Sequence, residues 1–515
     1  MFVESRDLQP DTIIEADVCI IGSGAAGMSL ARELMGKAIQ VVVLESGGKK
    51  EEDATIDLMK GKNVGRKYHA LHRARSRFWG GSTNCWAGMC APLDPIDFEQ
   101  RDYLPHSGWP FDRNTLDPYY ARAQKFLRLG DYDYTPEGNA DTGTAFDFGP
   151  EAPVESSLFQ GARGARRMGK VFRKQFEKES NVTVYLHANV TSIDLVEGGG
   201  AVDTVTCKVL EGPTFKARAK YVVLATGGLE NPRILLSSNA VQKAGIGNQN
   251  DLVGRFFMEH PHTDHESFLV GSPGLVDWRY YTSQGHNRAK KTHHYRTWGY
   301  LRIKDEVLRR EQILNVHSVL FDYEQRKKKI KHGYEYPLLD SIAPVLADTD
   351  GNFGEAAEVA EQVLHFTFGT PSEQAPNPDS RVLLSPTEKD AFGIPRIDLQ
   401  WKLLPIDKRS VRRMHELMAQ SFGLAGLGRM YLTLTDDDEQ WPKQMKGGWH
   451  HMGTTRMHDD PKQGVCDANG YVHGVSNLLV AGSSLFPTSG AANPTFTIVA
   501  LALRLADHLE GKLQP

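Results

Sequence analysis

Two stretches of this chain combine residue type and spacing in a way that could do chemistry. Near the N-terminus, Gly22-Ser23-Gly24-Ala25-Ala26-Gly27 is a G-x-G-x-x-G run, and an acid, Glu45, follows eighteen residues beyond Gly27. Glycines so placed suit a main chain wrapped round a pyrophosphate. Gly22 makes a tight turn, Gly24 lets the backbone approach phosphate, and Gly27 allows a helix to pack on a strand. A carboxylate at Glu45 suits the ribose hydroxyls of an adenosine and repels a 2′-phosphate. Near the C-terminus, the neighbours His450 and His451 offer a choice of general base, because an imidazole with a pKa of about 6.5 is largely neutral at working pH. In an extended strand the two would face opposite ways. Asn493-Pro494 then precedes an apolar run of helical period, with Asn at the expected N-cap and Pro at the first helical position.

These residues need elements to hold them. Val18-Cys19-Ile20-Ile21 is short, apolar and β-prone and leads into the glycine run; Met28 to Met35 reads as a helix; Val41-Val42-Val43-Leu44 is a second strand ending at Glu45. Together they make a β-α-β unit whose helix offers free N–H groups and a positive dipole end to phosphates. Strand patterns recur at Val182 to Leu186, Val190 to Ile193, Tyr221 to Ala225 and Leu478 to Gly482. They predict one nucleotide-binding domain assembled from residues 1–265 and 440–515. Residues 266–439, with alternating polar and aromatic residues and few glycine-rich turns, are expected to form the second, substrate-binding domain.

Three segments now carry a resemblance. Trp449-His450-His451-Met452-Gly453-Thr454-Thr455-Arg456-Met457, Ser489-Gly490-Ala491-Ala492-Asn493-Pro494-Thr495-Phe496 and Arg77-Phe78-Trp79-Gly80-Gly81-Ser82-Thr83-Asn84-Cys85-Trp86-Ala87-Gly88, with the opening β-α-β unit, resemble the glucose-methanol-choline (GMC) oxidoreductases, FAD enzymes that oxidise alcohols. The wording is similar to the sugar-oxidising branch, which includes pyranose oxidases, glucoside 3-dehydrogenases, C-glycoside 3-oxidases and the large subunits of fructose and gluconate dehydrogenases. Residues 17–110, 181–262 and 372–510 carry the likeness. It implies an α/β fold, with a Rossmann-type FAD domain built from discontinuous segments and a second, sheet-based substrate domain.

The resemblance also implies roles. The pattern His, two residues, Gly, Thr matches the family's catalytic histidine to His450, and Asn493 falls beside the reacting carbon. FAD would lie against Gly22, Ser23, Gly24, Ala26, Gly27 and Glu45, the loop of Gly80, Gly81, Ser82, Asn84, Cys85 and Trp86, the strand positions Val190 and Ala225, and Gly482, Ser483, Asn493, Pro494 and Thr495. The last helix would point its positive end at the flavin ring. In relatives whose flavin is bound covalently to histidine, that histidine falls at Cys85, which implies dissociable FAD or, less simply, a cysteinyl link. Cys85 and Cys90 suit a redox pair or, as is commoner, buried thiols.

The activity implied is oxidation of a secondary hydroxyl of a sugar or glycoside to a keto-sugar, with hydride to flavin N5 and reoxidation by O2 or another electron acceptor. Two alternatives stand beside it: a catalytic subunit passing electrons to a partner chain, and a flavin-containing lyase without net redox chemistry. Trp278, Tyr280, Tyr281, Tyr295, Trp298 and Tyr300 suit stacking on a sugar face or plain alternation along strands. His260-Pro261-His262 with His265, and His293-His294, supply metal-ligand types. Phe256-Phe257-Met258-Glu259-His260-Pro261, however, resembles a recurrent segment of these enzymes that binds no metal, so none is expected. No Cys-x-x-Cys-His haem motif occurs, so any cytochrome would be another chain. The resemblance leaves a homo-oligomer or a separate electron-transfer subunit open.

Composition agrees with a large globular protein. The formal charge is 60 − 64 = −4 over 515 residues, which argues against a dedicated nucleic-acid binder. That length exceeds the roughly 100 to 200 residues of one domain. Five cysteines, an odd number in a long chain, fit a reducing compartment. Met1 to Asp7 has no leader character and no apolar run spans a bilayer, so a soluble cytoplasmic protein is expected. The basic run Gln325 to His332 reads as a solvated loop.

Overall fold

The computed structural model describes residues 1–271, 278–281, 295–322, 364–435, 437 and 440–514. The basic run at 325–332 and the pair His293-His294 lie outside them, as do the side chains of His265 and Trp278.

Strand Ile13–Ile21, apolar and buried over its last four residues, forms the middle of an eight-stranded sheet. The order across it is Phe2–Glu4, Val182–Leu186, Val41–Leu44, Ile13–Ile21, Thr214–Leu224, Val202–Lys208 and Asn189–Leu195, and Leu478–Val480 pairs with the end of Thr214–Leu224. The strands around Ile13–Ile21 run parallel, which buries both faces and explains their unbroken Val/Ile/Leu runs. Helix α1 (Ala25–Glu33) leaves the end of Ile13–Ile21 and packs on α4 (Thr495–Leu513), which also packs on α2 (Arg113–Phe126).

A second eight-stranded sheet runs Arg429–Leu432, Pro261–Gly271, Leu364–Pro371, His317–Asp322, Arg296–Ile303, Val154–Gly161 and Met89–Cys90, with Lys446–Gly447 beside Pro261–Gly271. It draws Val154–Gly161 and Met89–Cys90 from the N-terminal half of the chain. One face packs on α3 (Pro405–Leu424) through Leu269, Leu301, Leu320, Phe366, Phe368, Met414, Met418 and Phe422. The other contributes Tyr300 and Val319 to the core of the nucleotide-binding side. Tyr280 and Tyr281 belong to the α3-side core, and the Tyr281 hydroxyl bonds Ser156 and the Phe146 N–H. Tyr300 is buried and stacked on His317. These three rings are packing residues; Tyr300 lies on strand Arg296–Ile303, whereas Tyr280 and Tyr281 lie in and just after a 3-10 turn and not on a strand, so alternation accounts only for Tyr300.

A small third sheet joins Gly61–Asn63 to Pro395–Gln400 and Arg381–Lys389. Its core of Trp401, Leu399, Val382, Phe257 and Tyr68 lies under the segment that carries His450. Among the described residues, no helix is long and apolar enough to cross a membrane.

Candidate active site

The glycine turn is built to hold a dinucleotide. Gly22 has φ +100° and a Cβ there would sit 2.8 Å from the Ala225 carbonyl oxygen, so only glycine makes this turn without strain. A Cβ on Gly24 would meet nothing within 4 Å, and no side chain caps the N-terminus of α1. The first N–H groups of that helix are therefore available to phosphate. A Cβ on Gly27 would stand 2.0 Å from the Gly22 carbonyl oxygen. Gly27→Ala should push α1 off the turn, costing about 1 to 3 kcal/mol as overpacking does and releasing FAD. The flavin-to-protein absorbance ratio and the thermal midpoint of the purified variant check this; a fully loaded protein of parent stability would refute it.

Glu45 is buried at the end of Val41–Leu44. Its carboxylate accepts the N–H and the hydroxyl of Ser23 and the Gly47 N–H. Two of these bonds clamp the glycine turn, and the Gly47 N–H, with the Ser46 hydroxyl at 3.5 Å, holds the other oxygen beside the following turn. Ser23 Oγ in turn accepts the Gly80 N–H at 3.1 Å, and a Cβ on Gly81 would lie 2.9 Å from Gly24 Cα. The structure thus brings the loop at 77–88 against the glycine turn. Within that loop Ser82 and Cys85 are exposed, while Asn84 turns inward to donate to the carbonyls of Trp79 and Gly81. The Trp86 indole donates to the Arg166 carbonyl. Asn84 and Trp86 are therefore braces whose side chains hold the loop's shape. Cys85 corrects the expectation of a buried thiol: it is exposed, Cys90 is buried, and both are free. Val190 and Ala225 are buried within or just after their strands. Gly482 has φ +112°, and Ser483 donates its hydroxyl to the His451 carbonyl at 2.7 Å while its own carbonyl accepts the Gly453 N–H. The loop after the last strand is tied in this way to the histidine segment. The glycine turn, its uncapped helix and the Glu45 carboxylate fit a dinucleotide such as FAD.

His450 and His451 lie outside any regular strand, between a bend at Trp449 and the isolated bridge of Met452 with Met258. Trp449 has φ +62°, a left-handed conformation rare for a bulky residue. The bend points the N–H groups of Gly448 and His450, each at 2.8 Å, at the carboxylate of Glu259. Glu259, fully buried, also accepts the His260 N–H and the Tyr68 hydroxyl. Burial pushes its carboxyl up to about 7, against these four donors, which favour the anion.

The bend sends the two imidazoles opposite ways. His450 Nε2 lies 3.3 Å from Asn493 Nδ2, and its Nδ1 lies 3.0 Å from His260 Nδ1. His451 Nε2 instead faces the Tyr68 hydroxyl at 3.0 Å, with its ring tilted on Phe257. Asn493 does not cap the last helix. Pro494, whose φ of −70° is already helical, is the cap residue and its carbonyl receives the first helical bond, from the Ile498 N–H. Because the proline ring presets φ, the cap moves one residue on and leaves the Asn493 amide to His450. His260 and His262 join the same centre: a Cβ on Gly448 would meet His262 Nε2 at 2.7 Å and His450 Nδ1 at 3.0 Å.

The sequence offers His260 only as a metal-ligand type, and gives Glu259 and Tyr68 no role. The recurrent segment Phe256 to Pro261 was the available signal for the first two; nothing local marks Tyr68.

The imidazoles give the molecule an acid limit. Burial lowers His260, His415 and His451 to about 3 and His262 to about 4, and holds His450 well below the usual value, helped by the neighbouring His260, His262 and His451. The unfolded chain, with pKa near 6.5, then binds protons that the folded protein does not. The histidine contribution is complete above about pH 6.5 and falls as pH drops toward 4, by up to about 1.4 kcal/mol per histidine per pH unit; the buried carboxyls of Glu259 and Asp407, raised to about 7, act in the opposite direction over that window and offset part of it, but the five histidines outnumber them. Thermal midpoints measured from pH 8 to 4 should decline from about pH 6.5, before most carboxylates titrate; a flat profile down to pH 5 would contradict this.

Comparison with known proteins adds to the geometry. A family model described as FAD dependent oxidoreductase matches residues 17–239, and one described as GMC oxidoreductase matches residues 376–502. Paromamine 6'-oxidase of Streptomyces fradiae is 25% identical, covering 96% of this chain and 92% of that protein. C-glycoside 3-oxidase of Microbacterium trichothecenolyticum is 26% identical, covering 65% of this chain and 55% of that protein. Among solved structures, formate oxidase of Aspergillus oryzae RIB40 superposes with a TM-score of 0.58 at 17% identity, covering 98% of this chain and 99% of that one.

Proposed function

From the premise that this chain is an FAD-dependent oxidoreductase of the GMC fold acting on CH–OH groups, we propose that it oxidises a secondary hydroxyl of a sugar or glycoside to the ketone. The observation that carries the reading is the facing pair of His450 Nε2 and Asn493 Nδ2 at 3.3 Å. A hydroxyl seated beside the pair, within reach of both nitrogens, can donate its proton to His450 and accept a hydrogen bond from Asn493, which supports the charge that grows on oxygen as the proton leaves. Imidazole kept neutral by burial is available as a base over most of the pH range. The glycine turn, Glu45 and the 77–88 loop would hold FAD, which when bound would supply the two-electron acceptor for the hydride. The bend at Trp449 and the buried Glu259, which accepts the His450 N–H, hold His450 in place through its backbone and leave its ring Nε2 to the Asn493 side. The names of the two relatives above favour a sugar or glycoside substrate, and O2 or a soluble acceptor completes turnover.

The test is anaerobic. D-glucose, methyl β-D-glucopyranoside, D-fructose and paromamine are each mixed with the holoenzyme, and the flavin's visible band is followed. Bleaching by a glycoside, with product NMR locating a ring ketone, supports the reading. Bleaching that yields only an aldehyde at a primary carbon overturns the secondary-hydroxyl assignment, and an oxidised flavin in the presence of product would point to lyase chemistry. We further propose that FAD is held without a covalent bond, since the residue at the position of the family's flavin-linked histidine is Cys85. Acid precipitation should leave the yellow flavin in the supernatant; colour retained in the pellet would refute this.

A further inference from the structure

We propose that His260 is a positioning residue that fixes the tautomer of His450, so that the lone pair of His450 is presented to substrate. This rests on the reading of His450 as base. A neutral imidazole has one proton and one lone pair. For Nε2 to accept a proton at the Asn493 side, the proton of His450 must sit on Nδ1. That nitrogen lies 3.0 Å from His260 Nδ1, with the two rings nearly perpendicular at 77°. His260 Nδ1 must then be the acceptor, and His260 carries its own proton on Nε2.

The opposite arrangement, with His260 Nδ1 donating, would put the His450 proton on Nε2, where it would block the base and face the Asn493 amide donor. One observation decides between them. Asn493 Nδ2 stands against His450 Nε2, and as a donor it calls for a lone pair there. With Nδ1 engaged as acceptor, the proton of the neutral His260 ring stands on Nε2, which is buried and has no hydrogen-bond partner of its own among the described residues. His260 is itself fixed. It is buried, its N–H is bonded to Glu259 at 2.9 Å, and it stands immediately before strand Pro261–Gly271. The charged and titratable groups that act on His450 are His260, His262 and His451, with Glu259 reached through the His450 N–H. None of these offers a second acceptor at His450 Nδ1. When His450 takes the substrate proton on Nε2 it becomes an imidazolium whose Nδ1–H goes on donating to His260, so the contact strengthens as charge forms.

The decisive measurement needs no substrate. Holoenzyme labelled with ¹⁵N-histidine is examined by long-range proton–nitrogen NMR, and His450 is assigned by the signal lost in His450→Gln. The parent should show His450 as the Nδ1–H tautomer. His260→Asn places an amide oxygen near the position of Nδ1 and should keep that tautomer; His260→Ala should shift His450 toward Nε2–H. In parallel, anaerobic flavin reduction by D-glucose and by paromamine should slow about tenfold or more in His260→Ala, within the range of general-base effects, and stay within about threefold of the parent in His260→Asn. His450 remaining Nδ1–H in His260→Ala, or being Nε2–H in the parent, overturns the proposal. A His450→Ala enzyme that reduces its flavin at the parent rate defeats instead the reading of His450 as base, while the tautomer result still decides the role of His260. If His260→Ala does not fold, the parent spectrum and His260→Asn decide alone.

Discussion

Replacing His450 by alanine should slow anaerobic flavin reduction by about 10²- to 10⁴-fold, the usual contribution of one general base, while substrate still binds and FAD stays in place. The reason is geometric: His450 is partly buried, held neutral, and its Nε2 stands 3.3 Å from the Asn493 amide, so that one hydroxyl beside the pair can reach both. Its neighbour is the control. His451 faces Tyr68 and Phe257 beneath the bend, and its carbonyl accepts the Ser483 hydroxyl. His451→Ala should leave a buried hydroxyl short of a partner, so it should lower the thermal midpoint, by the equivalent of about 1 to 3 kcal/mol, with a much smaller effect on rate. Stopped-flow reduction and thermal unfolding of the two variants separate the roles. A His451→Ala protein that is slower than His450→Ala would assign the base to the wrong ring.

How far these arrangements could be read from the chain depends on whether the information is local. The glycine turn was legible because strand, turn, helix and second strand fall within one short segment, and each glycine answers a steric demand found there: Gly22 against Ala225 and Gly27 against Gly22. The loop at 77–88 was visible as a motif, but its contact with that turn, through Ser23, Gly80 and Glu45, joins residues far apart in sequence. Strand Val154–Gly161 gave no sign of its sheet, because its partner is Arg296–Ile303 and pairing across such a separation leaves no local pattern. The same holds for Gly61–Asn63, which pairs with Pro395–Gln400. Glu259 reads in sequence as one acid among sixty-four; only the bend at Trp449 turns its carboxylate into the anchor of the histidine segment. Tyr68 is known only by what it touches. The cap was misplaced for a local reason, since Asn before Pro satisfies the N-cap pattern whether or not its amide is claimed by something more distant.

That misplacement sharpens what Asn493→Asp should do. With Pro494 as the cap residue, the variant has no capping bond to lose, and the near-identical shape of Asp should leave the thermal midpoint close to the parent's. The effect falls on chemistry. The carboxylate would stand where the amide now lies, 3.3 Å from His450 Nε2, and two opposite charges about 4 Å apart attract by about 4 kcal/mol at an effective dielectric constant of 20. The imidazole pKa would rise, and a larger share of His450 would hold a proton on the nitrogen that must accept one. The variant also loses the donor to the substrate oxygen and adds repulsion to the negative charge growing there. Both changes act in the same direction, so flavin reduction should fall by at least the 10²- to 10⁴-fold expected for losing the base. The two causes separate with pH. Raising the pH strips the proton from an elevated imidazole and should recover part of the rate in Asn493→Asp, whereas the parent, whose imidazole is held neutral by burial, should show no such rise. The part that does not recover measures the lost amide donor. A variant that reduces its flavin at the parent rate at every pH would place Asn493 away from the reacting carbon, and with it the hydroxyl site beside the two side chains.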